Sequence, residues 1–491
     1  MTGISKRIMK KARTRHSKSQ FLGSFIAASS LTLAALAIGL TFSTPALAGG
    51  GDLTLSETPL PYLGDGAIPE RTPPILEIGP KFLGRGPIDA GFEIPTGAIW
   101  QPALWVFGDF RTSLNYVNDN DSGDLSEWAN SLDLFANLQL TGTERILLGV
   151  NALRDTGGFT GYVWEPNDGT DGAQNFFNGE INTLFFEGDF GELFPNLDPT
   201  DSMAYDIGFS VGRQPLFFQE GLMINDTIDA VAINRDTVQF TDVVDIRMAF
   251  VFGWDQVGRD DNEEDPDAYL YGMFTETDLR ASTVNVDLAY VNSDDESTRT
   301  GLGRGKGDGL YAGVAATQRL GHINTSFRVN GSWALDTAND AIGNGYVFMG
   351  ETSLTPFGTD DVAYLTGFVA VDHFSSASRG PSAGGPLGRI GILFAAPGLG
   401  RVGSPLSNRA DEAYGGAVGY QKFLNGGRTQ VIVEAGGRKS MQTTGNDQVG
   451  IGMRFQQAVG NRHVLQLDAF AAALENESDT VGARGEWLIR F

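Results

Sequence analysis

The 491-residue sequence contains no cysteine. Disulfide scaffolds, thiolate metal sites and cysteine nucleophiles are thereby excluded. Basic side chains are scarce, 35 against 60 acidic ones for a net charge of −25. Nucleic acid is therefore excluded as a partner, since its phosphates would meet a surface of the same sign. No long stretch carries the 3.6-residue apolar period of an amphipathic helix. The mean hydropathy of −0.13 is too low for a bundle of transmembrane helices, while 41% apolar residues is too many for a disordered acidic chain. Glycine is what the chain has in excess, 65 residues of 491, or about 13% against a usual ~7%. Such a composition favours strands and turns.

The chain divides into three regions. Residues 1–48 open with a basic leader (Lys6, Arg7, Lys10, Lys11, Arg13, Arg15, Lys18), continue through an uncharged apolar run and end in Ala46-Leu47-Ala48. This is the pattern of a cleaved signal peptide; an uncleaved membrane anchor is the alternative. Cleavage takes seven positive charges away and lowers the net charge from −25 to −32. Residues 49–100 are rich in proline and glycine and read as an irregular periplasmic arm, through which neither a helix nor a central strand can run. From 101 to 491 the dominant signal is alternation with a period of two. Val106, Phe110, Leu114 and Tyr116 alternate with Asp109, Arg111, Ser113 and Asn115, and Ile323, Thr325, Phe327 and Val329 alternate with Asn324, Ser326, Arg328 and Asn330.

Eighteen strands are predicted by direct count, within a range of sixteen to eighteen, from 104–117 to 481–491 and including one at 204–213. Their links alternate in kind. Gly142-Thr143, Leu320-Gly321 and Leu424-Asn425-Gly426-Gly427 are short, whereas 375–412 and the stretch around 293–307 are long and polar. Tight turns on one rim and long loops on the other predict an all-β fold, a transmembrane antiparallel barrel of the outer-membrane type. A secreted solenoid or propeller also alternates, but no repeat period is visible. Trp105, Trp128, Trp254, Tyr269, Tyr271, Tyr346, Tyr414 and Trp487 fall near predicted strand ends, where aromatic rings anchor a membrane interface. A strand running to Phe491 resembles the signal read by the barrel-assembly machinery of Gram-negative bacteria. The expected surroundings are accordingly outer-membrane lipids and lipopolysaccharide.

If the polar face turns inward, the pore is lined by Asp109, Arg111, Asp133, Arg145, Arg247, Arg328, Glu434, Arg438, Arg454, Arg484 and Glu486. A lining of both signs suits a water-filled passage for hydrophilic solutes more than a strict ion filter. Retention of arginine along the wall of an acidic protein would favour anionic or carbohydrate solutes, unless each arginine merely pairs with a neighbouring acid. The run Gly212-Arg213-Gln214-Pro215-Leu216, followed by Gly221, Asn225-Asp226 and Thr227-Ile228-Asp229-Ala230-Val231, resembles a motif of the alginate-export barrels, eighteen-stranded porins that pass an anionic polysaccharide. It departs from that motif at Leu222-Met223 and lacks the Trp and Arg ahead of the second half. The resemblance implies that Arg213, Gln214 and Asp229 lie at or near the pore constriction.

Other chemistry has thinner support. Asp119, Asp121, Asp124 and Glu127 carry oxygen ligands at spacings that suit a Ca²⁺ loop, without full EF-hand spacing. No other cofactor is implied. His373 beside Ser375-Ser376 is the one arrangement that could serve a barrel lipid hydrolase, and no Gly-x-Ser-x-Gly elbow accompanies it. An enzyme is therefore not expected. A structural or adhesive barrel without transport is the remaining alternative, and the Gly/Pro-rich link 375–412 either binds a partner or folds inward as a constriction.

Overall fold

The computed structural model describes residues 72–82, 90–119, 123–155, 157–165, 171–200, 203–240, 243–293, 306–336, 338–390, 394–395, 398–443 and 445–491. The expected signal peptide at 1–48, residues 49–71 of the arm, and Asp121 lie outside the described residues, as does the side chain of Asp119.

Eighteen strands run in chain order: β1 Ala103–Asp119, β2 Gly123–Gln139, β3 Arg145–Asn151, β4 Ile181–Asp189, β5 Gly208–Phe218, β6 Ile224–Arg235, β7 Asp245–Asp255, β8 Tyr269–Asp278, β9 Ser282–Asn292, β10 Gly309–Leu320, β11 Ile323–Ala334, β12 Gly345–Leu354, β13 Val362–His373, β14 Asp411–Leu424, β15 Thr429–Ser440, β16 Gln448–Val459, β17 His463–Leu474 and β18 Thr480–Arg490. Each pairs antiparallel with the next, and β18 pairs with β1 from Arg490↔Asp109 to Thr480↔Asp119. The sheet therefore closes and has no free edge, which satisfies backbone donors without water. The predicted strand at 204–213 is displaced to 208–218. Pro215 sits near its far end opposite Thr227, where the missing donor costs one ladder bond rather than ending the strand.

Glycine chemistry sets the tight rim. Gly321 has φ +64, and only Gly321 and His322 separate β10 from β11; a side chain would find open space there, so the positive φ and not crowding requires glycine. The opposite rim carries the long links, and there β1 and β2, 17 residues each, rise as a hairpin flanked by Gly158–Glu165 on residues 126–130. The arm contributes a short strand, Leu76–Ile78, on the part of β1 below the end of β18.

The outer wall is an apolar band. Leu114, Val211, Phe250, Val286, Val314, Phe348, Val418, Ile451 and Val481 are exposed on it, with Trp128, Trp254, Tyr271 and Tyr346 toward its ends. Trp105 departs from the expected girdle. Its neighbour Leu104 has the outward parity, so Trp105 turns inward, and its indole N–H donates to Pro80 O at 3.0 Å. On the inside, apolar residues cluster in two groups where two links fold into the barrel. Phe374, Leu387 and Leu406 pack with Met349, Phe368 and Ala417. Met223 and Ala377 pack with Ile228, Leu270, Phe274 and Val291. Each fully buried side chain of this size contributes about 1.5–3 kcal/mol, so where these links enter, the barrel interior is a packed core and not a water channel.

Candidate functional site

Contacts of link 374–410 identify the inner face. Ser113 and Asn115 of β1 donate to Leu399 O at 3.2 and 2.8 Å, and Glu127 of β2 accepts from the Arg401 N–H at 2.5 Å. Arg438 of β15 donates to the carbonyls of Ser407 and Arg409 at 2.7 and 2.9 Å. Gln448 of β16 accepts from the Ser407 N–H at 2.8 Å. A segment that leaves β13, returns to β14 and touches β1, β2, β15 and β16 lies within the ring. Cross-strand partners share a face, so the register carries this assignment around the barrel.

The link is anchored a second time on the far side. Ser378–Arg379 pair in parallel with Ile224–Asn225 of β6, and Ser378 Oγ donates to Asp226 Oδ2 at 2.6 Å. Arg379 is 1% exposed. Its guanidinium donates to the carbonyls of Gly221, Ala383, Gly384 and Gly385 at 2.7–3.0 Å. Asp260, from the β7–β8 link, accepts from the Ser376 N–H at 2.9 Å and from Arg409 Nη1 at 3.1 Å. Burial pushes its carboxyl up, against the pull of Arg409 and Arg379. The dense acidic run 260–267 is thus partly a clasp: Arg259, fully buried, holds Asp265 at 2.9 Å and Tyr311 Oη at 3.2 Å. None of these anchors is signalled by the sequence, because Arg379, Asp226 and Asp260 come together only through long-range folding of a Gly/Pro-rich link.

Beside the link, and partly touched by it, runs a charged wall formed by β15–β18 and β1–β4. Arg111 Nε meets Glu486 at 2.7 Å. Arg454 grips Asp468 with two donors at 2.8 and 3.0 Å, and Arg484 binds the same carboxylate. Arg154 reaches Asp133 at 3.4 Å, and Arg145 pairs with Glu187. Gly398 lies so close against the Arg484 guanidinium that any Cβ there would overlap it. Asp109, Arg111, Asp133, Arg145, Arg454, Arg484 and Glu486 therefore have the inward parity on this wall, and Glu434, also inward, is fully buried against Tyr364. Arg247 and Arg328 also face inward, on the other side. Arg247 lies among Asp245, Glu276 and Asp278, and Arg328 lies between Glu351 and Glu220. Arg438 instead rests on carbonyls and 5.9 Å over the Phe368 ring. Most wall arginines are thus ion-paired, which leaves a transverse field in place of an excess of positive charge. Asp468→Asn should strip Arg454 and Arg484 of their shared counter-ion. The expected outcome is a zero-current potential in a KCl gradient shifted toward the chloride equilibrium potential.

Two expectations of the resemblance are corrected. Gln214 faces inward and is buried, accepting from Ser210 Oγ at 2.5 Å and donating to Ala230 O at 3.0 Å. Arg213 and Asp229, one residue away on their strands, consequently face outward, because the side-chain period of a strand is two. They form a bidentate pair, 2.8 and 3.0 Å, on the outer wall beside exposed Val211. Of the four Ca²⁺ candidates, Asp121 and the Asp119 side chain lie outside the described residues, and the other two are separated by the same strand parity. Glu127 faces the lumen, while Asp124 lies on the outer face with Asn118 and Tyr116, so the two cannot ligate one ion. Among the described residues no group of three or more His, Asp or Glu could hold a metal. The Ser–His arrangement does not assemble either. Ser375 Oγ accepts from the Gly343 N–H at 2.9 Å and Ser376 Oγ donates to Leu222 O at 2.6 Å, while His373 Nδ1 pairs with Asp411 at 2.5 Å.

No family model matches the chain, and no curated protein matches it in sequence. Solved structures do resemble it. They include OccAB3 of Acinetobacter baumannii (TM-score 0.52, 10% identity, covering 79% of this chain and 99% of that one), and OccK2 (OpdF) of Pseudomonas aeruginosa (0.52, 10%, 79% and 97%). A BenF-like porin of Pseudomonas fluorescens Pf-5 is similar too (0.50, 11%, 79% and 99%). At such identities the likeness is one of fold, and the fold is that of the porin-type barrel.

Proposed function

We propose that this chain is an outer-membrane channel of a Gram-negative bacterium, exported by its leader and passing small hydrophilic solutes passively. The observation that carries the reading is the division of the lumen. Link 374–410 packs apolar clusters against one side of the lumen, and β15–β18 with β1–β4 keep a wall rich in charged and polar side chains on the other, which a structural plug would not need. The porin-type fold of its structural neighbours supports the same reading. A polymeric anion of the alginate kind, which the resemblance at 212–231 implies, is a narrower version of it. That version loses Arg213 and Asp229 from the pore and requires the link to withdraw from the lumen. Purified protein in planar bilayers should give discrete conductance steps in KCl; a folded barrel that gives none would make it a structural or adhesive barrel instead. Added uronate oligomers that interrupt the current would favour the polymeric version.

A further inference from the structure

Low on the charged wall, toward the tight rim, two inward aromatic rings stack side by side, one of them exposed in the lumen. Phe107 of β1 and Phe135 of β2 are direct cross-strand partners and stack with centroids 5.7 Å apart and 24° between planes. Phe107 is 39% exposed, and the Phe135 ring lies against Gly149 of β3. Two residues below it Trp105 also faces inward, with Phe82 of the arm against its ring at 5.1 Å, so the rings continue as a strip toward the tight-rim mouth. The next inward pair above the rings is Asp109 opposite Asp133. Like charges directly opposite on neighbouring strands are destabilising. Arg154 reaches Asp133, while Asp109 has the field of Arg111, Arg490 and Arg154 to offset it. The facing carboxylates do not help the barrel to fold, and Phe107 keeps apolar surface in the lumen that folding leaves unburied.

We propose that Phe107, Phe135, Asp109 and Asp133 form a subsite for an uncharged pyranose sugar on its way through the channel. The inference rests on the channel reading and names its solute class. A pyranose has an apolar face that stacks on an aromatic ring and a rim of hydroxyls that donate to carboxylate oxygens, which act only as acceptors when ionised. An apolar surface with a few fixed polar groups is the usual composition of a small-molecule site. The facing carboxylates decide between ring-shaped solutes, because an aromatic carboxylate stacked on Phe107 would bring a third negative charge against Asp109 and Asp133.

The test is calorimetric titration of the detergent-folded barrel with maltose and, separately, with benzoate, alongside single-channel current in KCl. Maltose should bind at millimolar concentration. Phe107→Ala should weaken that binding about three- to tenfold, the worth of one aromatic contact, and Asp109→Asn should weaken it without loss of the barrel's heat-modifiable migration. Phe107→Leu keeps an apolar side chain and should still lose affinity, which separates stacking from packing. Conductance with no maltose binding would overturn the subsite and leave the channel standing. Benzoate binding in place of maltose would overturn the solute class, and maltose binding without conductance would overturn the channel while the sugar site stood.

Discussion

Excising residues 389–406 and joining Gly388 to Ser407 through two glycines should raise the single-channel conductance several-fold. The excised segment carries Leu399 and the backbone N–H of Arg401, which hold the link against Ser113, Asn115 and Glu127. It also carries Gly398, which lies against Arg484. Its removal frees Arg484, Glu127 and Asn115 to face water. The base of the link is retained, since Leu387 N–H still reaches Asn408 O at 2.9 Å and Ser378–Arg379 still pair with β6. Loops that leave a barrel strand at a rim cost little to shorten, so the barrel should keep its heat-modifiable migration. An unchanged conductance in the shortened protein would mean that the current does not pass beside this segment.

The barrel was legible in the sequence because strand alternation is a local signal, repeated eighteen times. Val431 and Val433 against Glu434 and Arg438, for example, report their faces within eight residues. Most of the charged wall followed from the same parity. Analogy and proximity along the chain are weaker guides than parity. The motif implies a pore position for Arg213 and Asp229, yet Gln214 is the residue of that motif that faces inward. Asp124 and Glu127 are close in sequence, but an odd separation puts them on opposite sides of the wall. The inner core was not legible at all. Ile228, Leu270 and Phe274 are apolar residues on the lumen face, and only the arrival of Met223 and Ala377 from two links makes them buried.

Arg379→Ala should release link 374–410 without unfolding the barrel, and this is the single substitution with the largest expected effect. The guanidinium satisfies four backbone carbonyls and contacts Ser376 Oγ at 3.2 Å, all in a site only 1% exposed. Leaving a buried acceptor unsatisfied costs about 1–3 kcal/mol each, and partial hydration of the cavity reduces the sum. A loss of about 3 kcal/mol for the docked state raises the undocked fraction by roughly a hundredfold. Trypsin cleavage at Arg401 or Arg409, which samples the opened link, should accelerate by a comparable factor while reclosing outpaces cleavage. The barrel strands, shielded by their closed ladder, should stay intact in the same digest. Arg379→Lys should fall between the two, because a lysine brings three donors from one point and cannot span Gly221 on one side and Gly385 on the other as the planar fork does. Open-channel noise should rise in the same order, from wild type through Lys to Ala. Equal cleavage rates and equal noise in the three proteins would show that the contacts with β1, β2 and β15 hold the link in the lumen without the arginine anchor.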